Sequence, residues 1–474
     1  MKDAKKTISV QAKASIAFVL ANLFSQGMAF ITMPIFTRLL TTSEMGYVTT
    51  YNAWQVMLGA VVSLSLSSGS FNIAMMKFAD KRDQYESSIL SLSFIPSTAF
   101  LLIALVFREP LANMMGLSEY LLILMAIVFI FSPGFNFWLL RQRYEYKYRS
   151  VVIVTVCNSL IGTLLSIAFV ICSADMGLSD LPFARLLPVG ATLAIFGLIF
   201  SFFILNRGRT GYSKTFWKFA LVTSLPMIVQ ALSKHILDVS DRIMIGAIAG
   251  ESYVGIYGVL YSVSSISLIV WSAINASMVP YIFEKLKSGD YVPVRNISSN
   301  IVLIYAGACL VLTILAPEIV GILATSEYES AIYLMPPIAA GIYFTCLHNL
   351  YSNLILYKEK TTPVMIATIV AAIVNILLNL AFIPIFGFIS AAYATLISFI
   401  VLALLQYYFA RRVGQHDIMD DKKNLLISVL FVVACLSINL IYPYPLARIV
   451  VLAIILLVCF IFRKKIAALL HLRK

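Results

Sequence analysis

Five side chains that could bind an ion or hold a proton stand close together near the middle of the chain: Lys234, His235, Asp238, Asp241 and Arg242. They interrupt the stretch from Thr223 to Tyr257, which is otherwise apolar and long enough to cross a bilayer. At ~100° per residue on a helix the five fall within an arc of roughly 120°. Thr223, Ser224 and Gln230 project into or near the same arc. One charge at the centre of a membrane helix costs ~2.5–3.5 kcal/mol on insertion scales, so five on one stripe require a wet or polar interior. Cations in such a low-dielectric interior attract a diphosphate or an acidic sugar. The other reading is a buried network in which Lys234 pairs with Asp238 and Arg242 with Asp238 or Asp241. Titration of His235, Asp238 or Asp241 during a transport cycle is a third.

The elements that must carry this stripe follow from composition. Of 474 residues, 61% are hydrophobic and 12% charged, against about 25% charged in soluble domains. Apolar runs of the ~20 residues that span a bilayer recur from end to end, which defines an all-α polytopic membrane protein. About fourteen spans are expected, near 16–37, 47–73, 87–107, 120–140, 151–173, 183–205, 219–248, 253–281, 297–316, 330–356, 362–383, 388–410, 425–442 and 446–462. The longest polar stretches, such as Asn206–Lys218 and Arg411–Asn424, leave no room for a soluble domain between them. Lys2, Lys5 and Lys6 precede the first span without a small-residue cleavage site, so that span is expected to stay.

The net charge of +13 encodes orientation and does not call for nucleic acid. If the spans alternate, nearly all Lys and Arg fall in loops on one side. The exceptions are Arg38, Arg108, Arg185 and Arg448 on the other side, and Lys234 and Arg242 within the special helix. This is the positive-inside pattern, and an even number of spans puts both termini in the cytoplasm. The six cysteines (157, 172, 309, 346, 435 and 459) are isolated in apolar runs without metal spacing and read as small core hydrophobes.

A weak internal repeat runs through the chain. Arg38-Leu-Leu-Thr-Thr-Ser-Glu44-Met-Gly46-Tyr47 is similar to Ala247-Ile-Ala-Gly-Glu251-Ser-Tyr253-Val-Gly255-Ile-Tyr257, with the glycines 209 positions apart. Ser118-Glu119-Tyr120 recurs as Ser326-Glu327-Tyr328, and Tyr51 as Tyr261. The unit is six spans and both copies start on the cytoplasmic side, so the repeats are parallel. The expected organisation is one six-helix bundle over 1–210, a second over 211–412, and two added helices in 413–474. Two bundles flanking a polar cleft suit alternating access.

The most specific string is Asn375-x3-Asn379-x4-Pro384-x2-Gly387-x2-Ser390-Ala391-Ala392-x-Ala394-Thr395. It resembles the polysaccharide and O-antigen flippase branch of the multidrug/oligosaccharidyl-lipid/polysaccharide (MOP) exporter superfamily. Ala316-Pro317-Glu318-x-Val320 to Glu327-Tyr328, and Arg38-Leu-Leu-x3-Glu44-x-Gly46, are similar to that family too. The family usually has Gly where Ser390 stands, a change at a close-packing position. The resemblance covers spans 1–12 and implies a MATE-like arrangement of the two bundles. It also implies a flippase for undecaprenyl-diphosphate-linked oligosaccharide in the bacterial inner membrane, without ATP hydrolysis. Such flippases work beside glycosyltransferases and a polysaccharide polymerase. No cofactor is expected, and coupling to an H+ or Na+ gradient is left open.

The residues agree about ATP. A Walker A loop needs Gly before its Lys; the nearest decoy, Gly208 to Lys214-Thr215, has Ser213 there. Neither HExxH nor Gly-x-Ser-x-Gly occurs, and Asp420-Asp421 beside Lys422 and Lys423 reads as a solvated charge run. Asn22 and Gln26 with Ser25 on span 1, and Tyr257 and Tyr261 with Ser264 and Asn275 on span 8, could meet sugar hydroxyls and rings or serve only to join helices. Asn375 and Asn379 read as interhelical ties. Arg38 and Lys77, near span ends, could reach lipid phosphates by snorkelling. Arg141-Gln-Arg-Tyr-Glu-Tyr-Lys-Tyr-Arg149 reads as an interfacial anchor on anionic lipid or a first contact for the carrier. The rival readings are a cation-coupled multidrug exporter of the same superfamily and a membrane polysaccharide polymerase or ligase. The last would need a large outer loop, and every outer loop here is short.

Overall fold

The computed structural model describes residues 10–414 and 418–461. Lys2, Lys5 and Lys6 lie outside the described residues. Within them every regular element is helical, and twelve helices are long and apolar enough to cross a membrane. In order the helices are α1 (Val10–Leu39), α2 (Thr42–Val62), α3 (Leu66–Gly69), α4 (Phe71–Lys77), α5 (Arg82–Val106), α6 (Arg108–Met115), α7 (Glu119–Tyr144), α8 (Tyr148–Asp175), α9 (Leu181–Gly208) and α10 (Lys214–Ile248). They continue as α11 (Glu251–Ser264), α12 (Ile266–Ser288), α13 (Tyr291–Ile314), α14 (Ala316–Leu323), α15 (Met335–Tyr357), α16 (Thr362–Phe386), α17 (Ser390–Arg412), α18 (Asp421–Ser437) and α19 (Pro445–Ile461).

Twelve of the roughly fourteen expected spans coincide with these helices; those expected over 47–73 and 446–462 do not reach that length and apolarity among the described residues, and two expected spans are broken. The span expected over 47–73 is α2, α3 and α4, interrupted where Leu64 (φ 51°) and Ser65 (φ 46°) adopt left-handed backbone conformations. L-residues pay roughly 1–2 kcal/mol each there, a cost that hydropathy cannot reveal. The span expected over 253–281 is α11 and α12, broken at Ser265. Two of the connections between spans also hold helices, α6 and α14, whose bounds repeat 208 positions apart, the register of the Ser-Glu-Tyr repeat.

Local sequence explains the ends. Thr41 and Glu44 form a capping box at the start of α2: Thr41 N–H donates to Glu44 Oε2 at 2.7 Å, and Glu44 N–H donates to Thr41 Oγ1 at 3.3 Å. Asp180 caps α9, accepting from Phe183 N–H at 3.0 Å. Asp420 caps α18, accepting from Lys423 N–H at 3.2 Å. The acidic pair read as a solvated run is thus engaged, since Asp421 Oδ1 also accepts from Tyr351 OH at 3.0 Å.

The chain divides into two compact units, one running to Gly255 and one from Ile256. In the first, α10 packs on α2, α3 and α5, so the charged helix clusters with the preceding helices. Its N-terminal part joins an apolar cluster in which Phe216 and Ala220 meet Phe71, Tyr85 and Ile89. In the second, α15 is buried nearly all round from Met335 to Ile355, and α13, α17 and α18 pack on it. Asn375 Nδ2 donates to Thr395 Oγ1 at 3.5 Å, and Asn379 Nδ2 to Asn375 Oδ1 at 3.1 Å, tying α16 to α17. Ser390, in the place of the family's glycine, donates its hydroxyl to Gly387 O at 2.7 Å. Cys157, Cys172, Cys309, Cys346 and Cys435 are free; Cys309, Cys346 and Cys435 are buried, whereas Cys172 is exposed and not a core residue, and the Cys459 side chain lies outside what is described.

Candidate functional site

Helix α10 is 35 residues long, with Pro226 inside it. Its charged stripe separates into an accessible part and a buried part. Lys234 Nζ and the Asp238 carboxylate form an ion pair one turn apart, with 37% and 31% of their side chains exposed. His235, between them, is half-buried. Further along, Asp241 is 1% and Arg242 9% exposed. Arg242 Nη1 donates to the Asp238 backbone carbonyl at 2.7 Å, and its backbone N–H to Asp241 Oδ1 at 2.8 Å. The Arg242 guanidinium also lies 3.7 Å from that oxygen. The geometry therefore contains both intrahelical pairs weighed from the spacing. Asp241 and Arg242 are turned into the protein, where their charges offset one another; Lys234, His235 and Asp238 keep part of their side chains exposed.

The other candidates sit as follows. Asn22 and Gln26 are exposed on α1, and Asn22 Oδ1 accepts from Arg143 Nη2 at 3.5 Å. Tyr257 is completely buried, so its ring packs and does not line a surface; Tyr261, with its ring centroid 6.1 Å away, is the accessible one of the two. Arg38 turns back on its own helix, donating from Nη1 to Pro34 O at 2.7 Å. Lys77, at the end of α4, stacks over the Phe219 ring of α10 at 4.6 Å. These two end-of-helix cations are thus held by a backbone carbonyl and an aromatic face.

Arg141 departs from the reading of its segment as a lipid anchor. Its side chain is 6% exposed and lies within a carboxylate cluster, 3.1 Å from Asp83, 3.7 Å from the buried Glu86, and paired with Glu145. Arg207 also reaches Asp83, at 2.9 Å. The cluster joins α5, α7 and α9, and no sequence spacing announces it because its members come from three distant segments. Burial opposes the charge on Glu145, but hydrogen bonds from Lys147 and Arg141 outweigh it and hold the carboxyl below its usual range.

At the opposite ends of these helices a polar cavity of about 560 Å³ is bordered by Glu44, Asp180 and Glu251. Each carboxylate already holds a structural donor. Glu44 and Asp180 cap helices as described, and Glu251 Oε2 accepts from Thr50 Oγ1 at 2.9 Å. The Glu251 bond was missed from sequence; the one available signal was the position of Glu251 in the repeat.

All-helical units of long apolar helices with a charged stripe on one of them define a polytopic transporter fold. Solved structures share it. The lipid II flippase MurJ in an inward closed conformation aligns with a TM-score of 0.68 at 15% identity, over 96% of this chain and 99% of that one. A multidrug resistance MATE family transporter of the MOP superfamily, facing inward, aligns with a TM-score of 0.64 at 15% identity, over 85% and 99%. The family model described as polysaccharide biosynthesis protein matches residues 12–286, and that for MatE residues 226–381. The chain belongs to the polysaccharide biosynthesis protein family, within the flippase branch of the MOP superfamily. A curated relative from Haloferax volcanii, described as a probable low-salt glycan biosynthesis flippase Agl15, is 21% identical over 404 residues, 84% of this chain and 83% of its own.

Proposed function

We propose that the protein flips an undecaprenyl-diphosphate-linked oligosaccharide, an O-antigen, capsular or exopolysaccharide repeat unit, across the bacterial inner membrane by alternating access. The observation that carries this reading is the Lys234–Asp238 pair, about one-third exposed in the middle of a long apolar helix. A charge there costs too much to serve packing alone, and an accessible ammonium in a low-dielectric setting attracts the carrier's diphosphate or an acidic sugar. Amide and hydroxyl groups of Asn22, Gln26 and Tyr261 suit sugar hydroxyls, which both donate and accept. The isoprenoid tail stays in the lipid while the glycan passes, which lowers the cost of moving it. Flipping breaks and forms no covalent bond. The basic loops set the orientation, with both termini cytoplasmic, and the substrate comes from glycosyltransferases and goes to a polymerase.

The test is deletion of the gene, with complementation by wild type and by Lys234→Ala. Build-up of the undecaprenyl-linked unit on the cytoplasmic face, cleared by wild type alone, is expected. Unchanged lipid-linked intermediates would defeat the reading. A second reading, a cation-coupled drug exporter, draws on the MatE match over residues 226–381. It requires a rise in drug sensitivity on deletion with surface polysaccharide intact.

A further inference from the structure

Helices α17 and α18 both lie on α15 and leave a groove of about 450 Å³ between them, within the range that small ligands occupy. Its floor is Phe344 and Tyr351 of α15; its walls are Leu404 and Tyr407 of α17 and Leu425 and Val429 of α18. Leu404, Leu425 and Val429 are more than half exposed. These residues belong to helices long and apolar enough to cross a membrane, so a neighbouring lipid's acyl chain, running alongside them, reaches the groove directly.

One end of the groove is charged. Lys422 and Asp421 line it, and Lys423 follows Lys422 in the chain. Of the two neighbouring carboxylates, Asp420 caps α18 and Asp421, which also lines the groove, is engaged by the Tyr351 hydroxyl. Lys422 and Lys423 are exposed and form no ion pair among the described residues. Arg411 Nη1 donates to Tyr407 OH at 2.7 Å, bringing its guanidinium to the groove's edge. The first turn of α18 adds the positive end of a helix dipole.

We infer that the α15–α17–α18 groove binds an anionic glycerophospholipid of the cytoplasmic leaflet, one acyl chain lying between α17 and α18 and the phosphate meeting Lys422 and its basic neighbours. The apolar length and the basic end together match that one molecule: a neutral lipid leaves the lysines unanswered, and a soluble anion leaves the groove empty. Anionic lipids concentrate at the cytoplasmic surface, where the positive-inside pattern places this end. The lipid is a resident and not the transported substrate.

The test is native mass spectrometry of the purified full chain titrated with phosphatidylglycerol, phosphatidylethanolamine or undecaprenyl phosphate. Phosphatidylglycerol is expected to be retained at least five-fold more tightly than phosphatidylethanolamine. Lys422→Gln should weaken it about five-fold, the equivalent of the ~1 kcal/mol that one basic side chain contributes near an anionic surface. Val429→Trp, which fills the groove from an exposed position, should reduce retention while leaving the melting temperature of the delipidated protein unchanged. If that variant does not fold, Leu404→Phe on the opposite wall carries the same test. Equal retention of the two phospholipids, or unaltered retention in the groove-filling variant, would overturn the assignment. So would preference for undecaprenyl phosphate, which would give the groove to the transported carrier.

Discussion

Gly46 and Gly255 make the same close approach twice. A Cβ at Gly46 would stand 1.9 Å from the Glu251 carbonyl oxygen, and one at Gly255 would stand 2.0 Å from the Thr42 carbonyl oxygen. Thr42 and Glu251 are 209 positions apart, as are the glycines. Each segment therefore offers its glycine to the other's helix start, the reciprocal contact of a local two-fold axis. The obstructing atoms are backbone and cannot rotate away. Gly46→Ala or Gly255→Ala should cost about 1–3 kcal/mol through forced backbone shifts, read as a lower melting temperature in detergent. Gly307→Ala, with no neighbour within 4 Å, should be neutral or mildly stabilising.

Arg141 is the hub of the carboxylate cluster, and Glu86, 3% exposed, lies 3.7 Å from it. Arg141→Ala removes the cation that Asp83, Glu86 and Glu145 share and should destabilise by about 3–5 kcal/mol. Adding Glu86→Gln measures the share of that loss that passes through Glu86, since the amide carries no charge for Arg141 to offset. Chemical unfolding of the single and double variants reads that share; a share of zero would show that Arg141 acts through Asp83 and Glu145 alone.

Glu145 gives that cluster a defined pH dependence. Its folded-state pKa is depressed, so its stabilising contribution is full above the ordinary carboxylate value of about 4.3 and is lost as pH falls through the lower folded-state value. The melting temperature of Glu145→Gln should lie below wild type at pH 7, and the gap should close on acidification below pH ~4. A gap that widens with acid would reverse the sign argued here.

Swapping the accessible pair separates structure from recognition. Lys234 and Asp238 are each about one-third exposed, so the pair itself contributes at most about 1 kcal/mol. The double variant Lys234→Asp, Asp238→Lys retains an opposite-charge pair and should fold with a melting temperature within a few degrees of wild type. It should still fail to clear lipid-linked glycan, because the cation has moved a turn along the helix. Full activity in the swap would make the pair structural.

Much of the architecture was legible in the chain itself. Hydropathy places the helices because water-free surroundings force every backbone group into intrahelical hydrogen bonds. The repeat register and the capping pair Thr41–Glu44 are local patterns, readable without coordinates. The helical period alone placed Lys234, Asp238, Asp241 and Arg242 on one stripe, since neighbours at three and four residues share a face. Only the folded chain could divide that stripe into an accessible pair and a buried pair, because accessibility depends on which helices cover it. The same holds for Tyr257 against Tyr261, for the break at Leu64–Ser65, and for Arg141 meeting Asp83 and Glu86. Those outcomes arise from contacts between segments distant in sequence, and a one-dimensional pattern records a residue's own helix but not the neighbour packed against it.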